Sequence, residues 1–597
     1  GRGGDGEEEQ RQSGKEAEEV HGAGGGFCRK CQRAKLAAAS GRDERGGMRR
    51  WIPILFMALP WVGGGTGLWG QTWDGGGAND RWNARNNWNP NTTPAFNNAT
   101  DLVFAGSIRT SPDMNGNRTV NTVTFAAGAA AFSLLGTSGG DNETLKFAGS
   151  GAGIAQEAAN AQTMLMNRLR WSDAGTISVT GAGALTIGDG TATSGQFYGN
   201  ADVTKTGTGG ALVLNADNTN WSGNLSIGEG AVEARFSGGA LGAGTVTVAS
   251  GAALNLGTGG LAFANDVSLA GNGVGGAGAL RNVAGSGTNV VSGAVALTAD
   301  TLVAADAGGT LVLSGDLSGA GRTLTAAGAG NITISGQIAT GAGGLVKEGA
   351  GVLRLTSPIA NTFTGPTTIT AGSIVTAASN QFNNAAALTV GNGTLLSLND
   401  FTQTVGSLSG GGTVDFGAGG TGQLILSGGA GMFDGVFSGT GELVIRAGAT
   451  LTLGANFNAP NVTITLAGGT LNLNGTTSTF GELNITGNSL LDFGSSVASV
   501  LTVEGVVFQN TGLQLSIQNW VDMVDYFYAQ NFAGATPGVR GATPQNQVAF
   551  TGFSNNDTAW LTFDQQITPV PEPGVYGAVL VGMAAVLAVG RRRRCEQ

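Results

Sequence analysis

The sequence predicts an all-β protein: a right-handed parallel β-helix (β-solenoid) with capping segments and a C-terminal transmembrane helix. Three observations predict it. A short strand of the form Leu-x-Leu or Val-x-Val recurs from 176 to 517, bounded by Gly, Asn or Thr. Examples run Ala184 to Ile187, Ala211 to Leu214, Thr245 to Val248, Thr310 to Leu313, Asn331 to Ile334, Thr450 to Leu453 and Val500 to Val503. The composition, with 107 glycines in 597 residues, holds 41% hydrophobic but only 12% charged residues, the reverse of the balance that keeps a chain disordered. Finally, strands of about four residues repeat over roughly 340 residues, further than one globular core can grow.

Each strand alternates with period two, so one face turns inward. Gly and Asn between strands supply the left-handed turns. Stacking such strands coil on coil buries one continuous apolar column. At roughly 20 residues per coil, the stretch gives about 17 coils, near 80 Å at about 4.8 Å per layer. A series of β-sandwiches is the competing fold and would favour longer strands and more aromatic cores.

The chain begins with a charged, low-complexity stretch over 1–47. Met48-Arg49-Arg50 then leads into the apolar run 51–62 and small residues, the pattern of a secretory signal. The signal is expected over 48–70, with Met48 as the start and 1–47 as mis-translated upstream sequence. The alternative is a long leader before an uncleaved signal.

Cys28, Cys31 and Cys595, and the single histidine His21, fall outside the expected mature region. Cys28-x-x-Cys31 is half a zinc site without a second half. The region 71–568 counts 15 Lys/Arg against 29 Asp/Glu, a net charge of 15 − 29 = −14. Such a chain repels nucleic acid, and none is expected as a partner.

Residues 71–175 read as a Trp-rich cap with the first strands. Trp73, Trp82 and Trp88 suit the lid of an open solenoid end; stacking on sugars is the alternative. Gln156 to Arg170, containing Met164-Leu165-Met166, is expected to form the one internal helix. Residues 518–568, with Trp520, Tyr526, Phe527, Tyr528, Trp560 and Phe563, read as an aromatic C-terminal cap.

Two longer units stand out within the solenoid, at about 203–230 and 345–372. Lys205-x-Gly207-x-Gly209, then Leu212-x-Leu214, Asn220-Trp221-x-Gly223 and a strand match Lys347-x-Gly349-x-Gly351, Leu353-x-Leu355, Asn361-x-Phe363-x-Gly365 and a strand. The pattern resembles the autotransporter-associated β-strand repeat of bacterial surface and secreted passenger proteins. That resemblance implies a β-helix and an exported chain. The physical reading puts Lys205 and Lys347 at a turn and Trp221 and Phe363 inside the column, with no ligand required. Residues 516–568 are too few for the membrane β-barrel that ends a classical autotransporter.

A different ending follows. Val570-Pro571-Glu572-Pro573 precedes an uncharged run over 574–590, then Arg591, Arg592, Arg593 and Arg594. As a helix this run would extend roughly 25 Å, enough for a thin bilayer. The arginines would hold its end on the cytoplasmic side, and the prolines would stop it from extending upstream. The segment 569–597 resembles the PEP-CTERM sorting signal of Gram-negative bacteria. That resemblance implies an exosortase-type sorting enzyme and the inner membrane as transient partners, with the cell surface or medium as destination.

No cofactor or metal is expected. An enzyme on this fold needs paired carboxylates or a calcium site. The candidate acids Asp300, Asp306 and Asp316 lie between strands, where Asp also serves turns. The sequence therefore predicts a non-catalytic surface or matrix protein, adhesive or associated with extracellular polysaccharide. A polysaccharide-degrading lyase or hydrolase is the alternative.

Overall fold

The computed structural model describes residues 70–136, 143–495, 497–554, 557–561 and 563–570. All belong to one compact unit. They form a β-solenoid of about 19 turns.

One row of strands shows how the sequence builds it. Val203, Leu225, Val246, Val267, Val295, Leu317 and Ile338 are successive parallel partners, each one coil after the last. Each is at most 1% exposed. Their neighbours Thr204, Ser226, Thr247, Ser268, Ala296 and Ser318 pair in the same register and turn outward. Alternation within the strand thus becomes two columns, one aliphatic and one of small, mostly hydroxylated side chains. A second inward column runs through Leu185, Leu212, Val232, Leu254, Leu280 and Val303. A third passes through Phe263, Val291, Leu313, Ile334 and Leu355. The buried cluster extends from Trp73 to Ile567.

Parallel pairing begins with Gln71–Trp73 against Asp101–Phe104 and ends with Val548–Phe550 against Leu515–Gln518. It therefore runs on both sides of 176–517. Apart from an isolated bridge between Arg446 and Gly468, antiparallel pairing occurs only at the two ends of the described residues. Trp73 pairs with Trp88 at the start, and Thr558–Trp560 pairs with Ile567–Pro569 at the finish. Trp73, Trp82 and Trp88 are all fully buried. Trp73 and Trp88 meet edge to face at 5.2 Å, and all three rings pack on Phe104. They close the first coil from within and leave no ring face for a sugar. At the other end, Gln565 O accepts from Ala529 N, and the Trp560 indole donates to Ala529 O.

The helix expected over 156–170 is not formed. Three strands occupy the region: Gly153–Gln156, Gln162–Leu165 and Arg168–Trp171. Met164 and Met166 point inward and Leu165 outward, a period of two. The buried Gln156 amide donates to Ala158 O, Asn160 O and Gly183 O. The Gln162 amide donates to Ala130 O and Asn160 O. These amides satisfy turn carbonyls that a helix would have paired internally.

No helix of the described residues is long and apolar enough to cross a membrane. The expected C-terminal transmembrane helix and the signal segment 48–69 lie outside the described residues.

Candidate functional site

The repeat units place their lysines inside the column. Lys205 is the register partner of Ile177 in the preceding coil and Ile227 in the next. Lys347 stands likewise between Ala326 and Ile369. Each therefore takes an aliphatic position, and the residues are 0% and 2% exposed. The apolar stem packs in the core while the ammonium reaches the turn that follows. Lys205 Nζ donates to Thr206 O at 2.8 Å, Gly207 O at 2.7 Å and Glu229 O at 3.0 Å. Lys347 Nζ donates to Glu348 O at 2.5 Å, Gly349 O at 2.7 Å and Ala371 O at 3.3 Å. Three carbonyls from two coils thus converge on each ammonium, matching its three donors. Burial pushes each lysine down to about 8, against partial relief from Glu229 and Glu348 respectively.

The repeat glycines are required by close stacking. A Cβ on Gly209 would lie 2.1 Å from Gly181 O, and one on Gly351 1.8 Å from Gly330 O. Gly223 and Gly365 meet the backbone of Ala201 and Gly343 in the same way. Gly207 and Gly349 add positive φ, +82° and +68°, a conformation that glycine adopts without strain. Trp221 and Phe363 are fully buried, and the Trp221 indole donates to Ala201 O.

Two features escaped sequence reasoning. Asn220 matches Asn361 in the aligned repeat, yet Asn220 is exposed. The buried equivalent is Asn218, which accepts from Phe197 N and donates to Ala240 O. Asn361 makes the same bridge between Ile338 N and Gln381 O. The second feature is a ladder at the entrance to the first row of strands. Asp202, Asn224, Asp266 and Asp316 each accept from the backbone N–H of the residue one coil later. Its sequence signal is Asp or Asn immediately before an inward Val or Leu.

The candidate acids have structural partners. Asp300 accepts from Thr323 N and Asp316 from Gln337 N. Asp306 forms a two-point bridge to Arg281 at 3.0 and 2.6 Å and accepts from Ala284 N. Among the described residues no group of three or more His, Cys, Asp or Glu could hold a metal ion. An open cleft of about 310 Å³ is lined by Asn361, Asn380, Asn383, Asn384, Thr404 and Arg446, among others.

Of the segment 569–597, in which a sorting signal is expected, Pro569 and Val570 are described. The Val570 N–H donates to Asp557 O, and its carbonyl accepts from Arg540 Nη1. Pro571, Glu572, Pro573 and Arg591 to Arg594 lie outside the described residues.

A family model, the passenger-associated-transport-repeat, matches residues 345–375. The match covers Lys347, Gly349, Gly351 and Gly365 and ends within the strand Ser373–Thr376. No curated protein and no solved structure matches the chain. The repeat and the β-solenoid together fit an autotransporter-like extracellular passenger.

Proposed function

We propose that this chain is an exported, non-catalytic β-solenoid passenger that serves at the cell surface or in the extracellular matrix of a Gram-negative bacterium. The observation that carries the reading is the coincidence at 345–375. There the passenger-repeat match falls on the Lys347 clamp, inside an unbroken parallel stack. The acids weighed for an enzyme are engaged in bracing backbone or Arg281, so no such observation supports the degradative alternative.

The tail completes the proposal. Val570-Pro571-Glu572-Pro573, the apolar run and Arg591 to Arg594 serve as a membrane stop that an exosortase-type enzyme reads and removes. The inner-membrane form is then an intermediate. Intact-mass measurement on protein from cells and from medium tests both ends. The expected mature species begins near 63–70 and ends near 571–573. A cytosolic species retaining 1–47 overturns export, and a surface species with an intact C-terminus overturns sorting in favour of anchoring.

A further inference from the structure

One face of the solenoid gathers positive charge that nothing in the described structure neutralises. It belongs to the four-stranded sheet of Arg118–Val120, Thr144–Phe147, Arg168–Trp171 and Gln196–Gly199. Leu145, Phe147, Leu169, Trp171 and Phe197 fill its inner side and are fully buried. Alternation therefore turns Lys146, Arg168, Arg170 and Tyr198 outward. Arg170 is the direct register partner of Lys146 on one side and of Tyr198 on the other. Arg168 lies in register with Thr144 and Gln196, and its guanidinium sits 4.6 Å from the Tyr198 ring centroid. Arg168, Arg170 and Tyr198 line an open cleft of about 250 Å³ with Thr144 and Gly199.

Like charges placed opposite each other on neighbouring strands are destabilising. Here the Lys146–Arg170 pair has no compensating carboxylate among the described residues. Among the described residues the nearby acids make no ion pair with these cations: Glu143 accepts from Gly116 N and lies near Arg118, and Asp173 accepts from Gly149 N. Three of the 15 cations in the acidic region 71–568 are thus concentrated on one small sheet face.

We propose that this face binds an acidic polysaccharide, a polymer of carboxylate-bearing sugars. Guanidinium groups offer planar donor pairs suited to carboxylate. Lys146 and Arg170 stand one strand spacing of about 4.8 Å apart, and Arg168 lies two residues along the strand from Arg170, which presents a compact triangle of charge to the polymer. Gln196, Asn220 and the Tyr198 hydroxyl, which are linked to each other, supply partners for sugar hydroxyls beside an aromatic ring. Nucleic acid is disfavoured because this face gathers only three cations, two of them guanidinium groups shaped for carboxylate. Phosphate neutralisation draws on many cations. The site rests on the extracellular reading above only for where the polymer is met.

The experiment measures binding of the purified full chain to polygalacturonate, with neutral dextran and a single-stranded DNA oligonucleotide in parallel. Polygalacturonate should bind, weakening as salt rises, and dextran should not. Arg168→Gln/Arg170→Gln should weaken binding by about tenfold or more, the equivalent of ~1.4 kcal/mol, with the thermal transition unchanged. Lys146→Glu is the second variant, should the double variant fail to fold, and is expected to lose binding likewise. Unchanged affinity in the folded variants, or equal binding of dextran, overturns the site. DNA bound as tightly and lost in the same variants overturns the glycan assignment. Binding by a chain that stays in the cytosol would instead overturn the proposed function and leave the site standing.

Discussion

The Lys205 ammonium donates to the carbonyl of Glu229 at 3.0 Å, across the boundary between two coils. In its own coil it also holds the carbonyls of Thr206 and Gly207. Each repeat lysine is therefore a clamp between adjacent layers, built at a position where other coils carry an aliphatic side chain. Lys205→Met keeps the stem and removes the donors. Buried acceptors left without a partner make the local cost about 2–4 kcal/mol. Hydrogen exchange should accelerate over 203–230 and stay unchanged over 345–372, because distant coils respond independently. Uniform acceleration along the chain would contradict the clamp.

The same burial sets a pH dependence. Both lysines fall to about 8, from an ordinary value of 10.5. Between those values the unfolded chain binds more protons than the folded one, so stability rises with pH across about 8 to 10.5. Below about 8 both states are protonated, and the cost of the buried charge is constant. Denaturant midpoints of the native chain should rise over this window relative to Lys205→Met/Lys347→Met. A constant difference between the two would refute it. Lys205 and Lys347 should also remain unmodified when the native chain is reductively methylated, as read by peptide mass.

Gly351 tests the stacking distance. Its Cβ would fall 1.8 Å from Gly330 O, whereas a Cβ on Gly128 meets nothing within 4 Å. Gly351→Ala must separate two coils and should cost more than ~3 kcal/mol. Gly128→Ala should lie within about 0.5 kcal/mol of the native chain. Limited proteolysis distinguishes them, with new cleavage near 330–351 in the first variant only.

Trp88 tests the first closure. Its indole donates to Trp82 O at 2.7 Å, and its ring packs on Trp73 and Phe104. Trp88→Ala should cost about 3–5 kcal/mol and uncover the edge of Gln71–Trp73. Concentration-dependent association in light scattering should follow; a variant that stays monodisperse would argue against the closure role.

The repeating strands were legible because alternation and burial coincide. Val203, Leu225 and Val246 announce an inward column by type and spacing alone. The lysines were legible as a repeated feature but not as interior groups, since their direction depends on carbonyls contributed by the next coil. Spacing also misled at Asn220, because its turn places Asn218 rather than Asn220 at the bridging position. Met164-Leu165-Met166 misled for a different reason. A short apolar run does not distinguish helix from strand by pattern, and the Gln156 and Gln162 amides that settle it act through tertiary contacts. The cation face was invisible as a cluster until register brought Lys146 beside Arg170.

Every named pairing in the stack joins a strand to one no more than about two coils away. The partners of Val203 are at 175 and 225, and those of Leu317 at 295 and 338. Native structure at any point thus depends on only a few dozen neighbouring residues, whatever the total length. A chain delivered end first through a narrow passage could fold as it emerges, each new layer laid on the last. The finished layers would then bar its return, so that assembly itself acts as a ratchet.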